Sequence, residues 1–572
     1  MSNVVAARDA TQSVFEPCSS DRWRFTRTDV LVGLVCTAAL LCFAGAREID
    51  GLRERRLAGS AADIARNHHW ILPTLKGEPR FVKPLLADWM AAASMKLFGW
   101  SEFGFRLPFA MCGLGVAGLG YVLGRQLLGA AGGRIAALVL ATTPYFVGEC
   151  QSASTDVPLL LFAGAALVSW WLWHLDARPG SRFWWSFYAS LALGCLAKGP
   201  LVFPYVAIPI VGELWATRRC DLLRRMRLGW GLLIVVAPIV LWIAGVCLVI
   251  DDAIGQWLAD MNRTLNNKDR AHFSNFFSHL AHWPMFSFPW SLPGVAALVV
   301  PVFRRWLPAW PRIRFIYFAL VGPLVLLCLL AKQPMHFLLP LALPLAVIEA
   351  ALIARTIELL RERQGGWLEA SAAWLVCFGF VSFAGLAAGW VHRQADASLA
   401  AAALVGVALA APAGVAAFWA RSSPDRSLAA LAASGLLSVT VFSAWLNPAI
   451  SRDQSCSAFA RQLERHVPAG EPVHFVNIQE ELPFYADRTF RKIAGVERDE
   501  PDELLARLRA GFVMINRRRY EELAESLALQ FRAEIVATDA EVDAKRRRRN
   551  ELLLLRLDAS VSAAEARDVS TR

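Results

Sequence analysis

Long apolar runs recur along the chain, beginning near residues 30, 107, 131, 157, 184, 201, 229, 285, 315, 336, 368, 397 and 427. Each approaches the roughly 20 residues that carry a helix across the hydrocarbon core of a bilayer. The pattern predicts an all-α polytopic membrane protein with about 13 transmembrane helices. The pattern changes after residue 448. There, short β-like runs (PVHFVNI, FVMIN, ELLLLRL) alternate with charged helical stretches such as DELLARLRA and YEELAESLAL. That alternation predicts a small C-terminal α/β soluble domain. The expected division is a cytoplasmic N-terminal segment 1–28, a membrane domain 29–448 with external loops at 47–106 and 251–284, an α/β domain 449–560, and a polar tail 561–572.

Composition narrows the class. Of the 572 residues, 56% are hydrophobic and only 19% charged, and the mean hydropathy is +0.40. This balance excludes a disordered chain, a coiled coil, a disulfide-rich secreted scaffold and an ordinary cytosolic enzyme. Most of the 11 cysteines lie inside apolar runs, with no CxxC pair and no zinc spacing, so they read as small apolar packers. The first run ends in CFAGAR, which resembles a signal-peptide cleavage site, but it is long and followed by many further spans, so it reads as a span.

The net charge of +11 suits an anionic partner, and its distribution decides which kind. Arg22, Arg24 and Arg27 precede the first span. Arg218, Arg219, Arg224, Arg225 and Arg227 lie between the sixth and seventh, Arg304, Arg305, Arg312 and Arg314 follow the eighth, and Arg355, Arg361 and Arg363 follow the tenth. With the thirteen expected spans each of these clusters follows an even number of spans, so all fall on one side, taken as cytoplasmic by the positive-inside rule. The partner expected for the excess charge is thus the membrane itself and not nucleic acid. The KRRRR run at Lys545–Arg549 reads as a solvated turn or an anionic-lipid contact.

One external stretch breaks the pattern. Residues 47–83 carry eight Arg and Lys against five acids on the side that should be poor in cations, which an anionic ligand there would explain. The competing reading is that a long external segment tolerates such charge and pairs it internally. Asp156, Lys198, Lys332 and His336 each fall at the expected outer end of a span, where an ionisable group is a functional candidate by default. Taken singly, they read as a helix cap, two snorkelling lysines and an interfacial imidazole; together they predict a shared site on one membrane face.

The runs HWILPTLKGEPRFVKPLLADWMAAASMKLFG, TDVPLLLF, LAKGPLVF and KQPMHFLLP, with FYADR (Phe484 to Arg488) in the soluble tail, resemble the polytopic lipid-dependent glycosyltransferases of the GT-C class. The resemblance is to the bacterial aminoarabinose lipid A transferases and the protein mannosyltransferase-like family, and it runs in order over most of the chain. It implies a multi-pass protein of a bacterial inner membrane, with its active face and C-terminal domain periplasmic or extracellular. It implies a polyprenyl-phosphate sugar donor and a lipid A, protein or envelope-glycan acceptor. Cations near the donor phosphate would stabilise the charge that develops as the sugar leaves. By the family pattern Lys83, in the F-x-K-P motif, takes that role, with Arg56 and Lys332 as helpers and Arg270 offered by the second external loop.

An inverting transfer also needs a carboxylate to take the acceptor proton. The family places an Asp-Glu pair in the first external loop, and here the Asp position is occupied by Arg53. Glu54 is ranked first as the base, with Asp50 as an alternative. Flanking Arg53, Arg55 and Arg56 favour the ionised form of Glu54, which weakens it as a base and suits it as a charged anchor. Asp156 matches the family's second external acid and is a candidate to position the acceptor or bind a divalent cation. The second external loop adds His272, His279 and His282, of which only His279 and His282 lie within one helical turn, so no dedicated metal site is expected. No other cofactor is expected. Gly113-x-Gly115-x-x-Gly118 fits a dinucleotide fingerprint but lies inside an apolar span, where close helix packing explains it; the sequon at Asn262 is likewise set aside. Two competing functions remain at this stage: a lipid-linked-sugar transporter, and a degenerate relative that binds polyprenyl phosphate without turnover.

Overall fold

The computed structural model describes residues 25–81, 83–176, 178–266, 277–299, 310–329, 334–361, 377–379, 381–382, 384–385, 388–389, 399–419, 422–452, 455–493, 505, 507–539 and 551–559. The chain divides into two compact units: residues 1–46, 82–87 and 106–447 form one, and residues 47–81, 88–105 and 448–572 the other. The expected division assigned the first loop to the membrane domain. In the structure most of that loop belongs to the same compact unit as the C-terminal segment.

The first unit is helical. Among the described residues, six helical stretches are long and apolar enough to cross a membrane: Glu102–Ala141, Asp156–Leu175, Arg182–Thr217, Leu228–Cys247, Met335–Arg361 and Pro424–Arg452. Two of them each hold two of the expected apolar runs. In Glu102–Ala141 the continuity is broken at Gly129 (φ +78°), a backbone conformation that a glycine adopts without steric cost. In Arg182–Thr217 a single 3-10 turn at Gly199–Leu201 separates two α-helices. The run beginning near 285 is divided between two nine-residue helices, Ser278–Phe286 and Ser291–Val299, and most of the run beginning near 368 lies outside the described residues. The first helix, Arg27–Leu41, opens with a capping box in which Thr26 and Asp29 satisfy each other's backbone N–H groups.

The second unit is built on a five-stranded mixed sheet in the order β4-β3-β5-β7-β6. Strands β3 (Val473–Phe475), β4 (Phe490–Lys492) and β5 (Gly511–Asn516) are mutually parallel where they pair, and β7 (Leu552–Ala559) runs antiparallel to β5 and to β6 (Phe531–Thr538). The near-continuous apolar runs of β5 and β7 follow from burial on both faces. Phe512, Met514, Leu552 and Leu554 pack on one side with Phe459 and Leu463 of the Ser457–His466 helix. Val513, Ile515, Leu553 and Leu555 pack on the other with Leu523 and Leu527 of the Arg517–Gln530 helix. The period-2 alternation of a strand sends neighbouring residues to opposite layers. The same unit contains the amphipathic helix Leu52–Asn67, a two-stranded hairpin of β1 (Thr74–Leu75) and β2 (Glu78–Pro79), and most of the helix Leu86–Phe98.

Candidate active site

Candidate residues occur in both units. In the second, Glu54 lies in the first turn of Leu52–Asn67 with only 2% of its side chain exposed. Arg47 reaches it from before the helix: Arg47 Nη2 stands 2.9 Å from Glu54 Oε2, and Arg47 Nη1 also binds Asp50. The Asp50 backbone N–H donates to Glu54 Oε2 at 3.4 Å. The two candidate bases thus share one buried guanidinium, which orients both carboxylates and compensates their burial. Sequence reasoning counted Arg47 only as a loop cation, because nothing in residue spacing shows that the turn at Gly51 (φ +68°) brings it back onto the helix.

The other end of this anchoring lies in the FYADR motif. The Tyr485 hydroxyl accepts from the Ile49 backbone N–H at 2.7 Å, and the Ser451 hydroxyl accepts from Glu48 N–H at 3.2 Å. Asp487 pairs with Arg66 at 3.3 Å, and Arg66 donates to the carbonyls of Pro483 and Ala486. Arg488 donates to the Val467 carbonyl at 3.2 Å. These bonds hold the segment that bears Glu54 against the sheet domain. Arg55 and Arg56 face Glu481 and Glu480, each at 3.3 Å. The close approach leaves no room for a side chain at Gly59, where a Cβ would lie 2.2 Å from the Glu480 carbonyl oxygen. Arg56, expected as a donor-phosphate helper, is half exposed and already shares Glu480 with Lys76.

Glu481 is fully buried, and desolvation raises its carboxyl above the ordinary range although Arg55 opposes the shift. A raised native pKa means that the folded chain holds this proton more tightly than the unfolded one. Stability therefore falls as pH rises from about 4.5, the ordinary glutamate value, through the native pKa. Glu481→Gln is expected to stabilise the second unit at pH 7, with the advantage vanishing below about pH 4.5. Thermal melts of wild type and variant across pH check this; a variant that is less stable at pH 7 would contradict it.

In the first unit, Asp156 heads the helix Asp156–Asp176 and Lys198 ends Arg182–Lys198. The structure brings them together: Lys198 Nζ binds Asp156 Oδ1, with 9% and 2% of the two side chains exposed. Lys198 Nζ also lies 4.6 Å from the ring centre of Phe337, whose neighbour His336 stacks edge-on at 5.0 Å. The Tyr205 hydroxyl donates to the Phe337 carbonyl at 2.7 Å. Three of the four groups expected to share a face therefore meet around Phe337, with Tyr205 as a member that its apolar sequence context concealed. The snorkelling reading of Lys198 is corrected, because its ammonium is buried against a carboxylate and an aromatic face.

Lys83 is exposed, in the bend that precedes Leu86–Phe98. The flanks of its motif are held by a network that sequence reasoning missed, in which the buried Asp88 accepts from Arg80 at 2.8 Å and from the Ser60 hydroxyl. His282 is exposed and its Nδ1 donates to the Ser278 carbonyl at 2.6 Å. Lys332, Arg270 and His272 lie outside the described residues. Among the described residues no three His, Cys, Asp or Glu side chains come together to hold a metal ion, so the divalent-cation reading of Asp156 gains no ligand set from them.

The chain resembles the polytopic glycosyltransferases of the GT-C class. Residues 82–243 match the family of dolichyl-phosphate-mannose-protein mannosyltransferases. The chain has the fold of ArnT, the aminoarabinose transferase, from Cupriavidus metallidurans: the apo structure superposes with a TM-score of 0.72 at 18% identity, covering 92% of this chain and 97% of that one. The structure of the same protein bound to undecaprenyl phosphate gives 0.70 at 17% identity over the same shares. By sequence, the undecaprenyl phosphate-alpha-4-amino-4-deoxy-L-arabinose arabinosyl transferase of Pseudomonas aeruginosa is 26% identical over 323 residues, which is 54% of this chain and 56% of that protein. Its counterpart from Pseudomonas savastanoi is 28% identical over 311 residues, 52% and 56% respectively. The matches span little more than half the length of these two relatives.

Proposed function

We propose that this protein is an integral-membrane glycosyltransferase that moves a sugar from a polyprenyl-phosphate donor to a lipid A, protein or envelope-glycan acceptor at the outer face of a bacterial inner membrane. The observation that carries the reading is Glu54, buried in the first turn of its helix and held by Arg47, in a chain with the fold of an aminoarabinose transferase. The outward placement rests on the arginine clusters between spans. In the transfer the acceptor hydroxyl oxygen bonds to the anomeric carbon as the bond from that carbon to the phosphate oxygen breaks. The electron pair leaves with the polyprenyl phosphate, and the hydroxyl proton passes to Glu54, with Asp50 beside it. Lys83 meets the departing phosphate, aided by Arg56, Lys332 and Arg270. Asp156, held by Lys198, positions the acceptor, with His336 and His282 as further candidate contacts. No metal ion is assigned a step.

Arg53, at the position of the usual catalytic Asp, favours a second reading in which polyprenyl phosphate is bound without turnover. Donor recognition is tested by binding of undecaprenyl phosphate to the purified chain in nanodiscs. Lys83→Ala is expected to weaken it about 10- to 100-fold, the equivalent of one charge-assisted contact of about 1.5–3 kcal/mol. Equal binding by wild type and Lys83→Ala would remove Lys83 from the phosphate site.

A further inference from the structure

The second unit contains a cleft of about 350 Å³ that the transfer scheme does not use. One wall is the C-terminal half of the helix Leu52–Asn67, and the facing walls are the β1–β2 hairpin and the chain from Gly470 to Phe490. Its charged lining is balanced: Asp63, Glu480 and Asp487 stand against Arg66, Lys76 and Arg488. A cleft for a phosphate or carboxylate ligand would carry an excess of cations, and this one does not.

The lining offers both kinds of hydrogen-bonding group. Lys76, Arg66 and the Asn67 amide can donate, whereas carboxylates can accept. Asp63 is already committed, accepting from the Thr74 backbone N–H at 2.7 Å and from the Asn67 amide at 2.7 Å. Glu480 is not saturated. Its Oε1 faces Arg56 and Lys76, but Oε2 is buried and has no hydrogen-bond partner among the described residues, in a residue only 9% exposed. A buried carboxylate oxygen in that state costs free energy until a donor reaches it. Phe490, partly buried in the same lining, adds an apolar face.

A neutral ligand that carries many hydroxyl groups and also apolar ring faces meets all these demands: donors for Glu480, acceptors for Lys76 and Asn67, and carbon surface for Phe490. We propose that the cleft is a carbohydrate subsite that holds a neutral sugar of the acceptor, away from the point of transfer. The assignment to an acceptor rests on the glycosyltransferase reading above; the sugar binding itself does not. Glu54 and Asp63 lie on one helix nine residues apart, roughly 14 Å along its axis at 1.5 Å per residue. The acceptor would then be a glycan of several sugars, one of which is gripped here while another meets Glu54.

The test is saturation-transfer NMR on the full-length protein in nanodiscs without any donor, using lactose, chitobiose and mannotriose as neutral probes and mannose 6-phosphate as the charged control. At least one neutral probe is expected to bind, with affinity reduced tenfold or more in Glu480→Gln and in Asn67→Ala. Asn67→Ala, at a residue with no assigned part in donor binding, is expected to keep wild-type binding of undecaprenyl phosphate, which shows that the variant is folded. No binding of any neutral probe to wild type, binding unchanged in both variants, or preference for mannose 6-phosphate would each overturn the proposal. If sugars bind as expected but no transfer activity is found, the cleft assignment stands and the enzyme reading fails.

Discussion

Glu54→Gln is expected to lower sugar transfer by about 100- to 10,000-fold, the range over which a positioned general base contributes. The amide keeps an oxygen for Arg47, which stands 2.9 Å from the native carboxylate, so the local structure is expected to persist. Binding of undecaprenyl phosphate should be unchanged, because the lost group acts on the acceptor proton. Asp50→Asn should have the smaller effect, since Asp50 is the more exposed of the two carboxylates that Arg47 gathers. Transfer within a few-fold of wild type in Glu54→Gln, with a dead Asp50→Asn, would reverse the two roles; near-normal transfer in both would place the base elsewhere.

The second large effect is expected at the Asp156–Lys198 pair. Removing one member of a buried ion pair leaves an uncompensated charge and typically costs about 3–5 kcal/mol, whereas removing both can be nearly neutral. Lys198→Met is therefore expected to lower the unfolding temperature in detergent sharply, and Asp156→Asn combined with Lys198→Met to restore most of it. The restored double variant is still expected to transfer poorly, because it lacks the Asp156 carboxylate that Lys198 holds. A single variant as stable as wild type would contradict the pairing, and an active double variant would assign the pair to stability alone.

The contrast between Arg47 and Lys198 shows what the amino-acid order could and could not reveal. Asp156 and Lys198 stand out in sequence because each interrupts an apolar run, where an ionisable group is conspicuous. Their partnership is not visible, since 42 residues separate them. Arg47 is hidden for the opposite reason: it lies among many other charges, and only the turn at Gly51 distinguishes it. Glu480 and Glu481 are more than 400 residues from Arg56 and Arg55, so no local pattern connects them.

The sheet repeats the lesson. Runs PVHFVNI, FVMIN and ELLLLRL contain β3 and most of β5 and β7, strands whose apolar character follows from burial. Strand β6 was not among the expected runs: it lies at the sheet edge, and Arg532 and Glu534 on its exposed side break the apolar signal. Long apolar helices were legible from hydropathy, six of them long enough to span among the described residues, but helix ends were not. Glycine breaks and 3-10 turns join or divide apolar runs without changing their composition.

Sugar transfer is read out by incubating the purified wild-type chain in proteoliposomes with a radiolabelled sugar on undecaprenyl phosphate and an extract of bacterial envelope acceptors. Label is expected on an acceptor, with one polyprenyl phosphate released for each sugar transferred. Saturable binding of the donor with no label transferred to any acceptor would contradict the glycosyltransferase reading.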